Sequence, residues 1–205
     1  MMTPVVLFSI GNPGPLNRHS TGHMVLKELM ENYDIKQPVN KNLYAIASNE
    51  DSSLIFVKSN TYMNESSKAW LKLRDNEKIP TGAIVIVLYD DFENDIPKVK
   101  LSKFGKKSES HNGIKNLQSV MMQDDGVRFK FFKLGIGIGP KPSGANKASM
   151  SSWVLSPFTL QQKQLIVDKS LDLCITHLKE IASLDGEIDN IDKYNSRVIK
   201  KNISE

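Results

Sequence analysis

Residues 83–91, AIVIVLYDD, constrain the fold of this chain more than any other stretch. Seven apolar residues in a row, ended by acid, suit a strand buried on both faces, as the central strands of a parallel sheet are. Val5–Ile10 is a second run of this kind, and residues 54–60 (LIFVKSN) a third. Helical periodicity fills the gaps. Gly22–Asn32 carries a stripe of Val25, Leu26, Leu29 and Met30. Glu65–Arg74 turns Ala69, Trp70 and Leu73 inward, and a helix from His111 does the same with Ile114, Leu117 and Met121. Residues 128–139 return as a strand. This alternation predicts an α/β fold, a single domain with a mixed, mostly parallel central sheet and helices on both faces. An edge strand is expected at 43–47, a loop and hairpin after Asp91, and a mobile Pro/Gly/Ser/Lys loop at 140–150. One long helix is expected over 156–181. Thr159 and Gln162 form its capping box, and Leu160, Val167, Leu171, Cys174, Leu178 and Ile181 form its stripe. The polar end divides the chain into a domain at 1–184 and a flexible extension at 185–205.

Composition excludes several classes. No apolar run approaches the ~20 residues that span a bilayer as a helix, so no membrane association is expected. Cys174 is the only cysteine, which rules out an intrachain disulfide and fits a reducing compartment. The first strand begins almost at once, without a secretory apolar segment or an Arg/Ser-rich presequence. The protein is therefore expected not to be secreted, and to be cytoplasmic or mitochondrial.

Chemistry concentrates where strands end. In a parallel sheet the carboxyl ends lie along one edge, where α/β folds place ligands. Asn12 follows the first strand, Asn64 follows the strand at 54–60, and Asp90 ends the central one. His19, one of four histidines, is the candidate general base, with Asp90 fixing its tautomer by accepting the Nδ1 proton. Asparagine both donates and accepts, so Asn12, Asn64 and Asn112 can hold a backbone or an oxyanion. This set would hydrolyse an ester or amide with activated water, without a Ser or Cys nucleophile. His19 and His23 have the i, i+4 spacing of some zinc sites, but no glutamate or third ligand completes the pattern, and no metal is expected. GIGIG at 135–139 is not a dinucleotide fingerprint. Its alternating glycines leave one strand face clear for a helix or a ligand. Lys98, Lys100, Lys103, Lys106 and Lys107 fall within ten residues free of acid. With Arg128, Lys130, Lys133, Lys141 and Lys147 they are expected to rim the same cleft and meet phosphate.

At these residues the chain resembles the bacterial-type peptidyl-tRNA hydrolase family, in an organellar or fungal-like member. GNPG followed by RHSTG, KSNTYMNESSKA, VIVLYDD, SHNGIKNL, LGIGIGPKP and WVLSPFT resemble six family motifs, in the family's order, over roughly residues 5–182. The resemblance implies hydrolysis of the ester between peptide and tRNA, which recycles tRNA from prematurely released chains. It implies His19 as base, Asp90 as its orienting acid, and Asn12, Asn64 and Asn112 as holders of the peptide and the attacked carbonyl. Met63 would line the cleft, and Lys103 would contact the 5′ phosphate at the acceptor end. Lys106, Lys107 and Lys133 would add to that contact. A monomer without cofactor is implied. A non-catalytic RNA-binding relative on the same fold is the alternative. The chain also departs from the family pattern. The loop between Asn12 and His19 is shorter, Ser20 follows the histidine, and Lys106–Ser110 replaces a Gly-rich run. Gly135 stands where an arginine is expected, and Lys133, two residues earlier on the same strand face, is expected to compensate.

Overall fold

Seven strands form one sheet in the order β2-β3-β4-β1-β5-β7-β6 in the computed structural model, which describes residues 2–105 and 108–205. Lys106 and Lys107, two of the expected phosphate contacts, lie outside the described residues. The centre consists of β1 (Val5–Ser9), β4 (Leu54–Ser59), β5 (Ile84–Asp95) and β7 (Lys130–Gly139), all mutually parallel. Val6 sits between Ile55 and Val85, so the three apolar runs pair in register. Short antiparallel strands close both edges. β2 (Val39–Asn40) and β3 (Tyr44–Ser48) extend the β4 side, and β6 (Val99–Ser102) extends the β7 side.

Because side chains alternate along each strand, the apolar runs feed two cores. Val5, Leu7, Ile84 and Ile86 pack under α1 (Thr21–Asn32), α6 (Leu171–Ser183) and α7 (Ile191–Ser204). Val6, Phe8, Val85 and Val87 pack under α2 (Ser66–Asn76) and α3 (Asn112–Met121). Trp70 of α2 centres the second core, with the rings of Phe8, Phe129 and Phe131 edge-on around it. The mixed, mostly parallel α/β sheet with helices on both faces is as expected.

Four local features differ from the sequence reading. First, β5 runs on past Asp91 to Asp95 with an irregularity against β7. This extension covers the alternating glycines: a Cβ on Gly137 would meet the backbone oxygens of Asp95 and Asn94. The cleared face of β7 thus receives a strand, not a helix or a ligand.

Second, the loop expected at 140–150 ends in α4 (Lys147–Val154), started by Asn146, whose Oδ1 accepts from Ser149 N at 2.9 Å. Third, the long helix is interrupted. α5 (Leu160–Leu165) begins on the expected capping box, Thr159 Oγ1 accepting from Gln162 N at 3.1 Å. A π-helical turn at Ile166–Ser170 then leads into α6. The extra residue per turn rotates the buried stripe, so that Ile166 and Ser170 are buried and Leu160 is 88% exposed.

Fourth, the tail expected to be flexible is helical for most of its length. α7 buries Tyr194 and Val198 completely, and Asn195 both donates to and accepts from the backbone of Leu101. It thereby satisfies polar groups on the open edge of β6, which a sheet must otherwise leave to water.

Candidate active site

Asp90 is fully buried on β5, where the strand passes from core to cleft. A buried carboxylate needs partners, and here each oxygen has a histidine. His19 Nδ1 lies 2.7 Å from Oδ2, and His111 Nε2 lies 2.8 Å from Oδ1. The other nitrogen of His111 accepts from Ile114 N at 3.2 Å, capping α3. His111 is therefore the neutral tautomer that carries its proton toward Asp90. His19 donates from Nδ1, which leaves its Nε2 for the cleft. Burial alone would lower the His19 pKa, but the hydrogen-bonded Asp90 carboxylate outweighs it and raises the value above the ordinary histidine. For Asp90, burial works toward a higher pKa, and the two histidines, His111 first, bring it below the ordinary range.

His19 is held by its neighbours in sequence. It sits in a 3-10 turn, Arg18–Ser20, between β1 and α1. Ser20 Oγ donates to Asn17 O at 2.9 Å and accepts from Asn17 N at 2.8 Å, closing that turn. Arg18 is buried with its guanidinium between the rings of Trp153 and Phe158, 5.3 and 5.2 Å from their centroids. It donates to Ser156 Oγ at 2.6 Å, Pro157 O at 2.8 Å and Gln162 Oε1 at 3.1 Å. The turn carrying His19 is thus joined to the connection between α4 and α5. Gly22 makes room for this geometry, since a Cβ there would stand 2.5 Å from Leu88 O and 2.9 Å from Ile10 O.

A cleft of about 1010 Å³ opens over His19. Asn12, Met63, Asn64 and Asn112 line it together with His19 and His111. Asn12 Oδ1 accepts from Met63 N at 2.8 Å, tying the loop after β1 to the turn after β4. Asn64 and Asn112 are exposed, and their side chains have no hydrogen-bond partner among the described residues. Lys141, Lys147, Met150 and Val154 build the opposite wall. The residues expected to converge from distant turns therefore share one cleft.

The expected phosphate contacts divide. Lys103 is exposed. Lys133 is not available: its side chain is 5% exposed, and Nζ pairs with Glu109 Oε2 at 2.5 Å. Gly135 offers no room for a cation in its place, because a Cβ would meet the Asp91 carboxylate and the Tyr89 hydroxyl. His23 does not join His19. Its Nδ1 lies 2.7 Å from Ser9 Oγ, and it borders a separate cavity of about 380 Å³. His19, Asp90 and His111 do offer atoms within 4.8 Å of one another, a cluster that could hold a cation. The imidazole nitrogens that face Asp90 are engaged in its hydrogen bonds, which makes the arrangement one that orients protons.

The sequence reading missed three contributors. His111 was read only as part of a turn that starts a helix, Arg18 was given no role, and α4 was not foreseen. The position of His111 beside Asn112, in a turn expected at the cleft, was the one available signal for it.

Known proteins resemble this chain in sequence and in fold. Residues 6–202 match the family model described as peptidyl-tRNA hydrolase. A peptidyl-tRNA hydrolase of Fervidobacterium nodosum is 31% identical over 196 residues, covering 94% of this chain and 96% of that protein. One from Thermodesulfovibrio yellowstonii is 34% identical over 172 residues, covering 80% and 86%. The crystal structure of peptidyl-tRNA hydrolase from Acinetobacter baumannii has a similar fold, with TM-score 0.72 at 19% identity, covering 98% of this chain and 95% of that one.

Proposed function

The chain belongs to the peptidyl-tRNA hydrolase family, and we propose that it performs the family's reaction with His19 as general base and Asp90 as the acid that orients it. The protein is an enzyme that hydrolyses peptidyl-tRNA. The observation that carries the assignment of His19 is its 2.7 Å hydrogen bond to buried Asp90 together with its place in the wall of the cleft.

In the proposed mechanism His19 Nε2 takes a proton from water as the oxygen attacks the ester carbonyl carbon. Asp90 stabilises the resulting imidazolium. The negative charge moves to the carbonyl oxygen, where the amide N–H groups of nearby asparagines can donate to it. On collapse, the bond to the ribose oxygen breaks. The imidazolium returns its proton to that oxygen, leaving a free peptide carboxyl and a tRNA 3′ end. Asn12, Asn64 and Asn112 hold the peptide and the attacked carbonyl, and Met63 packs under them. Exposed Lys103 supplies a point charge for the 5′ phosphate of the acceptor end, a contact we also assign to Lys106 and Lys107. All the proposed residues come from one chain, in keeping with a monomer. Recycling of tRNA from abandoned chains is the task this chemistry serves.

Incubation with a defined peptidyl-tRNA tests the reading. An enzyme releases many equivalents of free peptide per protein. Stoichiometric binding without release would instead assign an RNA-binding role.

A further inference from the structure

Buried Lys133 and half-buried Glu109 form an ion pair in a place where a free cation was expected. The Lys133 ammonium lies against the rings of Tyr89 and Phe104, 5.9 and 6.0 Å from their centroids. It donates to Glu109 Oε2 at 2.5 Å. The other carboxylate oxygen, Oε1, accepts the backbone N–H of His111 at 3.1 Å. From His111 the chain of contacts continues through Nε2 to Asp90 and from Asp90 to His19 Nδ1. Hydrogen bonds therefore link β7 to the base without a gap.

The turn before α3 needs such an anchor. Residues 109 and 110 precede the helix, and His111 is tied to it through its carbonyl, which accepts from Lys115 N at 2.9 Å, and its Nδ1, so its own N–H still requires an outside acceptor. His111 N finds one in Glu109. The carboxylate would swing freely on its own side chain, but the Lys133 ammonium fixes its second oxygen. Asn112, exposed in the cleft, follows directly and is placed by the same anchor. Lys133 is also too enclosed to meet a macromolecular phosphate, and its charge is already matched.

We propose that the Glu109–Lys133 ion pair is a positioning device for catalysis: it fixes the turn carrying His111 and Asn112 and, through His111, the carboxylate that orients His19. This rests on the hydrolase reading above. Removing Glu109 leaves the charge of buried Lys133 uncompensated, and removing Lys133 frees the second oxygen of Glu109, so each residue is needed for the other to do this.

The test compares Glu109→Ala, Glu109→Gln and Lys133→Met with the wild type on peptidyl-tRNA with and without its 5′ phosphate. Glu109→Ala and Lys133→Met are expected to lower kcat about tenfold on both substrates, the scale of a sub-ångström misplacement, with KM held within about twofold. Glu109→Gln, which can still accept from His111 N, falls between. The acid limb of the kcat profile should move to lower pH in Glu109→Ala, because a looser Asp90 retains the His19 proton less well. If Glu109→Ala does not fold, the neutral pair Glu109→Gln with Lys133→Met carries the same expectation without a stranded charge. A rise in KM confined to the phosphorylated substrate in Lys133→Met, with kcat unchanged, would overturn the proposal and make Lys133 a phosphate ligand. Unchanged kcat, KM and pH limb alongside a lowered melting temperature would also overturn it, leaving a structural pair only. A wild type that releases no peptide overturns the hydrolase reading, and the proposal with it.

Discussion

At the scale of single residues, the central fact is one carboxylate shared by two histidines. The pairing of His19 with Asp90 was legible because Asp90 closes the longest apolar run, His19 lies in the polar loop after another, and such residue types are needed together. His111 was harder to read: its role depends on which nitrogen faces Asp90, and that follows from its cap on Ile114, a contact no spacing reveals. Lys133 misled for the opposite reason. A lysine on a strand looks like free charge until Glu109, 24 positions earlier, is seen against it. The raised pKa of His19 sets a pH prediction. The base acts as neutral imidazole, so kcat/KM should fall as pH drops through a value above the ordinary ~6.5 of histidine. Asp90→Asn cannot hold that proton as a carboxylate does. Its acid limb is expected at or below ~6.5 with turnover reduced by about a hundredfold or more. A pH series on both proteins measures this.

At the scale of elements, the apolar runs and helical stripes marked β1, β4, β5, α1, α2 and α3 because burial on two sheet faces dictates their periods. The π-helical turn and the β5 extension were not marked, since both are set by what they pack against. α3 approaches the turn after β4 so closely that a Cβ on Gly113 would collide with the Met63 side chain. Gly113→Ala should therefore push α3 away from Met63 and move Asn112 and His111 together. The expected result is about 1–3 kcal/mol of lost stability, the range of overpacking, with a fall in kcat beyond what unfolding explains. Denaturant melts beside initial rates would separate the two effects.

At the scale of the whole molecule, the C-terminal segment is part of the body. Its polar composition concealed Tyr194 and Val198, two apolar contacts a helical turn apart that complete a core built mainly by other segments. Ending the chain after residue 190 should uncover Tyr194's site and the β6 edge, lowering the melting temperature and promoting association through that edge. Two enclosed histidines, His177 buried and His23 half-buried, make a further prediction. Burial brings His23 down to about 3 and His177 to about 4. Between those values and ~6.5 the unfolded chain takes up protons that the folded one refuses, so each group lowers stability as pH falls through this window. The slope is roughly 1.4 kcal/mol per pH unit for each. Urea midpoints between pH 7 and pH 5 should decline accordingly, and replacing His177 with an apolar residue should flatten the decline.

The most direct test of the account is single-turnover release of peptide from a defined peptidyl-tRNA by His19→Ala beside the wild type, with tRNA binding and melting temperature measured on the same samples. The account predicts a release rate lower by about 10²–10⁴, the contribution of a general base, with tRNA binding nearly unchanged and the protein still folded. Release at close to the wild-type rate by folded His19→Ala would contradict it.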